Sequence, residues 1–261
     1  MLRIAFDLDG VLADMDGELA RQAEALFGEA VLRDAVPPAS GSDEAAVSEE
    51  TPAAEGTSPP IALNISARQT RQLWDRVRAI DNFWETLSEI EPGMVARLAD
   101  VARERRWEVI FLTKRPPSAG STPQVQTQRW LASKGFELPS VFVVHGSRGR
   151  VASALSLDIV VDDRAENCLD VAADSKARAI LVWRGSQEQV PSAARRLGIG
   201  VVSSVAECLD LLTQPDSPTS DPPGLMSRVK RALGLTETAS ASSAGRVLPV
   251  PKSENRRPPP N

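Results

Sequence analysis

The sequence predicts an α/β protein: a doubly wound, Rossmann-like parallel sheet with a small α-helical cap inserted after the first strand. Short apolar runs that end in polar residues alternate with amphipathic helical segments along most of the chain. This alternation favours a parallel sheet that helices cover on both faces. The 261 residues are 42% hydrophobic and 25% charged, a composition typical of a globular protein with a sizeable core.

The first strand is the apolar run of residues 4–6, which leads directly into Asp7 and Asp9. Gly10 lets the backbone turn at this point, so the two carboxylates can approach a common point from different directions. Ligands of open α/β sheets bind at the carboxyl ends of the strands, and paired carboxylates there suit a divalent cation. A solvated turn is the alternative that this stretch, taken alone, leaves open.

Residues 15–90 form the predicted cap. Apolar residues recur at helical spacing over 17–27 and again over 66–89, where Trp74, Phe83 and Trp84 indicate a packed helical unit. Residues 36–60 contain five acidic residues among Pro, Ser, Ala, Gly and Thr, and no Lys or Arg. Such a composition buries too little apolar area to offset its ordering entropy, so we expect a disordered acidic insertion there.

Residues 1–14 and 91–213 form the predicted core, in which strands and helices alternate. Pro92 and Gly93 open an amphipathic helix, and the next strand, 107–112, ends in Thr113 and Lys114. Thr122 and Pro123 have the residue types of an N-cap and a first helical residue. The remaining predicted strands are 141–144, 159–161, 179–183 and 200–202. The remaining predicted helices are 123–134, a stretch after residues 145–150 that ends at 155, 165–173, 191–197 and 204–212.

Residues 214–261 form a tail that holds nine of the twenty prolines, and we expect it to be disordered apart from a short helix at 224–234. The formal net charge of -5 gives no general electrostatic reason to bind a nucleic acid polymer or an anionic membrane. Two cysteines in helical segments give no disulfide framework. No apolar run reaches membrane-spanning length, and Asp7 interrupts the first one. These observations predict a cytoplasmic protein with no membrane partner.

Three predicted strands end in polar residues that can act together. The pairs are Asp7 with Asp9, Thr113 with Lys114, and Asp162 with Asp163. In a parallel sheet all these ends lie at the same edge, where carboxylates from two strands make a set of oxygen ligands suited to Mg²⁺. A carboxylate beside such a cation can attack phosphorus, a second acid can exchange the proton, and a hydroxyl and a cation can hold phosphoryl oxygens.

The ordered set resembles the haloacid dehalogenase (HAD) superfamily of hydrolases. Residues 4–14 (IAFDLDGVLAD), 109–113 (VIFLT) and 158–164 (DIVVDDR) resemble the first, second and fourth motifs of that superfamily. The helical insert resembles its C1-type cap, and the layout is most similar to the branch that contains the 5'(3')-deoxyribonucleotidases. The resemblance covers nearly all of residues 1–213.

The resemblance implies a role for each matching residue. Asp7 would be the nucleophile and a metal ligand, and Asp9 the general acid and base, with its backbone carbonyl on the metal. Thr113 would bind the phosphoryl group. Asp162, together with Asp163, would complete the shell of the cofactor Mg²⁺.

The third motif departs from the superfamily, whose members usually carry a Lys a short helix before the paired acids. Residues 147–152 contain no Lys, and Arg150 is the best match, followed by Arg148. Arg keeps the charge and binds phosphate through two N–H groups, but it is bulkier than Lys. Lys114 offers an ammonium from the neighbouring loop. We therefore expect Thr113, Lys114 and Arg150 to bind the substrate phosphate.

The sequence thus predicts a Mg²⁺-dependent phosphomonoesterase that acts through an aspartyl-phosphate on a small phosphorylated metabolite, with nucleoside monophosphates among the candidates. The alternative is a HAD-like protein that binds a phosphorylated ligand or a protein partner without turnover, because the third-motif lysine is missing. A phospho-acceptor receiver domain also combines Asp, Thr and Lys at strand ends. In that class the paired acids belong to the first strand, so the order found here argues against it.

Overall fold

A six-stranded parallel sheet forms the centre of the protein in the computed structural model, which describes residues 2–28, 63 and 65–214. The strands are β1 (Arg3–Asp7), β2 (Glu108–Thr113), β3 (Ser140–Val143), β4 (Ile159–Asp162), β5 (Arg178–Val182) and β6 (Gly200–Val202). Their order across the sheet is β3-β2-β1-β4-β5-β6, and each neighbouring pair is parallel. This confirms the predicted doubly wound α/β fold. The strand order reverses between β1 and β4, where such sheets form a ligand-binding crevice.

Eight α-helices and two 3-10 helices connect the strands in the described part of the chain. The α-helices are α1 (Met15–Phe27), α2 (Ala67–Ala79), α3 (Met94–Arg105), α4 (Pro123–Ser133), α5 (Arg148–Ala154), α6 (Ala165–Asp174), α7 (Ser192–Arg196) and α8 (Val205–Thr213). The 3-10 helices are Phe83–Glu85 and Gln187–Gln189. Within the described ranges, none of these helices combines the length and the apolar character that a membrane crossing requires.

Side chains of β1 alternate between two hydrophobic clusters on opposite faces of the sheet. Ile4 and Phe6 pack into the larger cluster, which also receives buried residues from α1 to α4 and α8. Ala5 packs into the smaller cluster with residues of α5, α6 and α7. Because the side chains of a strand point alternately to the two faces, three consecutive apolar residues show that β1 is covered on both sides.

The predicted helix over 66–89 is shorter in the structure. Ser66 begins α2 through a capping box with Gln69, but the helix ends at Ala79. Asn82 adopts a left-handed conformation, its backbone N–H donates to the carbonyl of Ala119 at 2.8 Å, and its Oδ1 accepts from the backbone N–H of Ser121 at 2.9 Å. These bonds join the chain to the loop after β2, so a short 3-10 helix replaces the last turns of the predicted α-helix.

The described part of the predicted cap packs against the sheet. Leu19, Leu73 and Trp84 belong to the same buried cluster as Leu8 at the end of β1. The division of the chain into a core and a cap stays a prediction. The acidic insertion at 36–60, the tail at 215–261 and its helix at 224–234 lie outside the described residues.

Candidate active site

The carboxyl ends of β1, β2 and β4 meet at one edge of the sheet. In the parallel register of β1 and β4, Asp7 and Asp162 occupy neighbouring positions where the strands end. On the other side of β1, Asp7 pairs with Leu112, and Thr113 follows. Residues that lie about a hundred and fifty positions apart in sequence are therefore adjacent at the point where the strand order reverses.

Arg148, the first residue of α5, forms a buried ion pair with Asp7. Its Nη2 donates to Asp7 Oδ1, and its Nε lies 3.8 Å from Asp162 Oδ2. Arg148 is 6% exposed, Asp7 is 7% exposed and Asp162 is 1% exposed, so all three are buried. Its Nη1 has no hydrogen-bond partner among the described residues. The site therefore contains a buried guanidinium with one N–H group whose hydrogen-bonding capacity is unmet.

The start of α5 fixes the position of Arg148. Ser147 is the N-cap, and its Oγ accepts from the backbone N–H of Arg150 at 3.0 Å and donates to Asp170 of α6. The backbone N–H of Gly149 also donates to Asp170, at 2.9 Å. A Cβ at Gly149 would overlap the backbone carbonyl of Asp170, so only glycine allows the two helices to approach this closely.

Asp7 lies close to three other carboxylates, and Arg148 balances their negative charge only in part. Burial raises the pKa of Asp7 well above its ordinary value, the charge of Asp162 raises it further, and Arg148 lowers it. Asp163 and Asp9 add smaller effects in the raising direction. A further cation at this edge would oppose all the repulsive contributions.

Asp162 accepts three hydrogen bonds from two residues that follow it in the chain. Its Oδ1 accepts from the backbone N–H of Arg164 at 2.9 Å, and both its oxygens accept from Asn167 Nδ2 at 3.0 Å. Burial raises the pKa of Asp162, whereas Arg148 and these hydrogen bonds lower it. The carboxylate is thus fixed in orientation, with Asn167 on one side and Arg148 on the other.

Asp9, whose side chain is 12% exposed, forms a second ion pair, with the fully buried Arg115. Arg115 Nη2 donates to Asp9 Oδ1 at 2.7 Å, and Arg115 Nε lies 3.1 and 3.0 Å from the two carboxylate oxygens. The hydroxyl of Thr113 donates to Asp9 Oδ2 at 2.9 Å. Thr113 therefore contacts the second carboxylate of the first motif, and its predicted role in binding phosphate stays a prediction.

Sequence reasoning missed Arg115, which is 1% exposed. Its Nη1 donates to Thr127 Oγ1 of α4 at 2.9 Å, and its guanidinium lies 5.0 Å from the ring centroid of Trp84. A signal was present, because the residue before Pro116 is held extended and side chains two positions apart in an extended chain point the same way. The sequence could therefore have predicted that the side chains of Thr113 and Arg115 lie on the same side of the extended chain.

Asp163 and Asp16 each have a buried Oδ1 with no hydrogen-bond partner among the described residues. Burial, followed by repulsion from Asp162, raises the pKa of Asp163 to about 7. Burial, followed by repulsion from Asp14, raises the pKa of Asp16 to about 6. A Cβ on Gly10, whose φ is +88°, would overlap the Asp163 carboxylate, so the turn after Asp9 packs directly on this residue.

The structure does not bring Arg150 to the site, which corrects the sequence-based preference for Arg150 over Arg148. The Arg150 side chain is 85% exposed, and its Nε lies 3.9 Å from Asp174 Oδ2. The reason is helical geometry, since residues two positions apart lie nearly opposite each other on a helix. With Arg148 facing the carboxylates, Arg150 faces solvent.

A cavity of about 110 Å³ opens above the strand ends. The carboxylates Asp7 and Asp9 line it, together with Lys114, Arg164 and Asn167. Neither Lys114 nor Arg164 forms an ion pair with another residue in the described part of the chain. The cavity therefore combines acidic groups at the strand ends with two available cations.

The residues present fit a magnesium ion in charge and donor type. The carboxylates here are Asp7, Asp9, Asp162 and Asp163, and only two arginines contact them. The unpartnered Asp163 Oδ1 and the raised pKa of Asp7 both indicate uncompensated negative charge. Carboxylate oxygens are the ligands that Mg²⁺ prefers. Across residues 2–28, 63 and 65–214, however, no three His, Cys, Asp or Glu side chains are already arranged as metal ligands.

The chain resembles known structures at low sequence identity. No family model and no curated protein matches the chain. A HAD family hydrolase from Deinococcus radiodurans R1, solved with bound phosphate and sodium, is 15% identical with a TM-score of 0.47, over 80% of this chain and 94% of that one. A hydrolase from Pseudomonas syringae is 15% identical with a TM-score of 0.45, over 83% of this chain and 100% of that one. At these values neither likeness establishes the family or the activity of this chain.

Proposed function

We propose that the protein is a HAD-type, Mg²⁺-dependent phosphohydrolase that acts on a small phosphorylated metabolite, nucleoside monophosphates among them. The observation that carries the proposal is the buried pair of Asp7 and Arg148 at the point where the strand order reverses. It combines a carboxylate that can attack phosphorus with a guanidinium that has a free N–H group. The three motifs that resemble the HAD superfamily lie around this pair.

The cationic side chains around the cavity would hold the phosphoryl group. Arg148 Nη1 would donate to one phosphoryl oxygen, since this buried N–H group otherwise stays unpaired. Lys114 lines the same cavity and would balance the charge that develops on the phosphoryl oxygens. Thr113, at the end of β2, is the predicted hydroxyl donor of this set.

In the first step, an Asp7 oxygen would attack phosphorus while the bond from phosphorus to the leaving oxygen breaks. Asp7 Oδ1 is engaged by Arg148, whereas Oδ2 accepts no hydrogen bond from the described side chains. Asp9 would donate a proton to the leaving oxygen, and the product alcohol would depart. The bond formed is an acyl phosphate between Asp7 and the phosphoryl group.

In the second step, water would attack the phosphorus of that acyl phosphate and lose a proton to Asp9. The bond between phosphorus and the Asp7 oxygen would break, which releases inorganic phosphate and restores the Asp7 carboxylate. Arg115 would keep Asp9 in position for both proton transfers, because it contacts both of its oxygens.

Magnesium, held by Asp7, Asp162, Asp163 and the backbone carbonyl of Asp9, would neutralise the carboxylates and polarise the phosphoryl oxygens when bound. Each of these residues lies at the end of β1 or β4, or in the loop that follows. The orientation of Asp162 is fixed by Asn167, which would limit the rearrangement of this carboxylate on binding.

The test is hydrolysis of 4-nitrophenyl phosphate and a panel of phosphorylated metabolites by the full chain, with and without Mg²⁺. Asp7→Asn should abolish turnover, whereas Asp174→Asn, at the exposed partner of Arg150, should leave it unchanged. Chelation of Mg²⁺ should abolish turnover by the wild type. Absence of turnover across the whole panel would exclude the proposed hydrolase.

One observation favours a second candidate, a protein that binds a phosphorylated ligand without turnover. Arg148 contacts the nucleophile candidate directly, and the metal ligands are not assembled in the described residues. Under this alternative, Asp7→Asn would keep both ligand affinity and cellular function. Retained function in that variant would favour the binding protein over the enzyme.

A further inference from the structure

Arg148 lies between the two carboxylates that the proposed magnesium site would use most directly. Its Nη2 contacts Asp7, and its Nε lies 3.8 Å from Asp162. The side chain is 6% exposed, so little water screens its charge. A guanidinium and a divalent cation that share two carboxylates repel each other. Each therefore weakens the electrostatic attraction between the other and the carboxylates.

We infer that Arg148 and the divalent cation compete for Asp7 and Asp162, so that Arg148 sets the metal affinity of the protein. The inference rests on the proposed function for the presence of a metal site. In the absence of metal, Arg148 serves as the counter-cation of both carboxylates. When metal binds, the guanidinium loses part of its contact with them, and the cost of that loss weakens the observed affinity.

Two features of the structure indicate that Arg148 and the metal ion compete, and that they do not bind the two carboxylates independently. First, the helix that carries Arg148 cannot withdraw, because Ser147 and Gly149 are both bonded to Asp170 and α5 packs closely on α6. The backbone of Arg148 is therefore held where its guanidinium reaches both Asp7 and Asp162.

Second, Asp162 has few oxygen lone pairs left. Both of its oxygens already accept from Asn167, and Oδ1 also accepts from the backbone N–H of Arg164. Oδ2, the oxygen nearest Arg148 Nε, is the less engaged of the two. The metal and the guanidinium would thus approach the same side of this carboxylate.

The experiment measures Mg²⁺ and Mn²⁺ binding by isothermal titration calorimetry, with no substrate present. It uses the full chain as wild type, Arg148→Met, Arg148→Lys and Arg150→Met. Arg150→Met is the matched control, because it removes the same charge from the same helix at a side chain that is 85% exposed and faces away from the site. Circular dichroism and thermal unfolding show whether each variant is folded.

Arg148→Met should bind Mg²⁺ at least about tenfold more tightly than the wild type, because a like charge next to the ion is gone. Arg148→Lys should give an intermediate affinity, since one ammonium cannot span both carboxylates as the guanidinium does. Arg150→Met should equal the wild type. If Arg148→Met fails to fold, the Mg²⁺ affinity of Arg148→Lys is compared with that of the wild type. Tighter binding by Arg148→Lys supports the inference, and equal or weaker binding overturns it.

Equal or weaker metal affinity in Arg148→Met, or no metal binding at all by that variant, overturns the inference. An equal gain in Arg150→Met also overturns it, because the effect would then come from net charge alone. Tighter metal binding by Arg148→Met in a protein that hydrolyses no phosphate ester would exclude the proposed phosphohydrolase and leave the competition established. The metal titrations therefore test the competition, and the turnover assay tests the proposed phosphohydrolase.

Discussion

Arg115 holds Asp9 through both of its carboxylate oxygens, at distances of 2.7 to 3.1 Å. The guanidinium is fully enclosed, since its remaining nitrogen donates to Thr127 and its flat face lies over Trp84. Three separate segments therefore meet at one side chain: the turn after β1, helix α4 and the 3-10 helix Phe83–Glu85. The position of Asp9 depends on how the helical insert packs against the sheet.

Arg115→Met should lower the free energy of unfolding by about 2–3 kcal/mol, because it removes the charged hydrogen-bond partner of the largely enclosed Asp9 carboxylate. Urea unfolding at neutral pH measures the loss. Arg129→Met is the control, since its ion pair with Glu85 at 3.3 Å is solvent-exposed and should contribute at most about 1 kcal/mol. Equal losses in the two variants would contradict a special role for the buried pair.

Gly10→Ala should cost more stability than a left-handed glycine usually does. Gly10 and Gly93 both have a positive φ, +88° and +79°, so alanine is strained at either position by about 1–2 kcal/mol. At Gly93 an added Cβ meets nothing within 4 Å, whereas at Gly10 it overlaps the Asp163 carboxylate. The excess loss in Gly10→Ala over Gly93→Ala, measured by urea unfolding, reports that contact.

The excess should be at least about 1 kcal/mol, the lower end of the cost of forcing extra atoms into a packed site. Gly10→Ala should also weaken Mg²⁺ binding, because Asp163 must move away from the strand end. Indistinguishable losses in the two variants would show that Asp163 moves aside freely, and would remove the argument that Gly10 fixes its position.

Both thiols should be unreactive in the folded protein. The chain has two cysteines, and Cys168 and Cys208 are both fully buried. Burial raises the pKa of the Cys208 thiol to about 12 and that of Cys168 still further, so almost no thiolate forms at neutral pH. Titration with Ellman's reagent at pH 8 should detect no fast-reacting thiol in buffer and two in guanidinium chloride. A fast native reaction would show that a helix opens locally.

The sequence was sufficient to predict the strands. A strand that helices cover on both faces of a sheet is a nearly continuous apolar run, and such runs are visible in the sequence. The convergence of Asp7, Thr113 and Asp162 followed from parallel pairing alone. The end of α2 could not be predicted in the same way. The pattern over 66–89 keeps helical spacing, and only tertiary bonds between Asn82 and the loop after β2 end the helix.

The choice between Arg148 and Arg150 shows a different limit. Both positions lie in the first turn of α5, which Ser147 caps. Which side of the helix faces Asp7 depends on its packing against α6, through the contact of Gly149 with Asp170. That contact joins distant parts of the chain, so no local pattern reports it.

Asp16 should make the protein less stable as the pH rises through about 6. Its pKa is raised to about 6 from an ordinary 3.8, chiefly by burial and then by repulsion from Asp14. The folded state therefore holds this proton more tightly than the unfolded state does. The resulting stabilisation is complete below about pH 4 and is lost as the pH rises through 6, where the folded protein must carry the buried charge.

Asp16→Asn removes that charge and should gain about 1 kcal/mol over the wild type at pH 8, a value discounted because the side chain is partly exposed. The gain should be much smaller at pH 4, where the folded wild type keeps Asp16 protonated and the unfolded chain, with an ordinary pKa of 3.8, has ionised it only in part. Urea unfolding at the two pH values measures the difference, with Asp100→Asn, at an exposed ion pair with Arg103, as the control for net charge. A gain of equal size at pH 4 and pH 8 would mean that the substitution acts through packing or hydrogen bonding, because only a titrating charge produces a benefit confined to high pH.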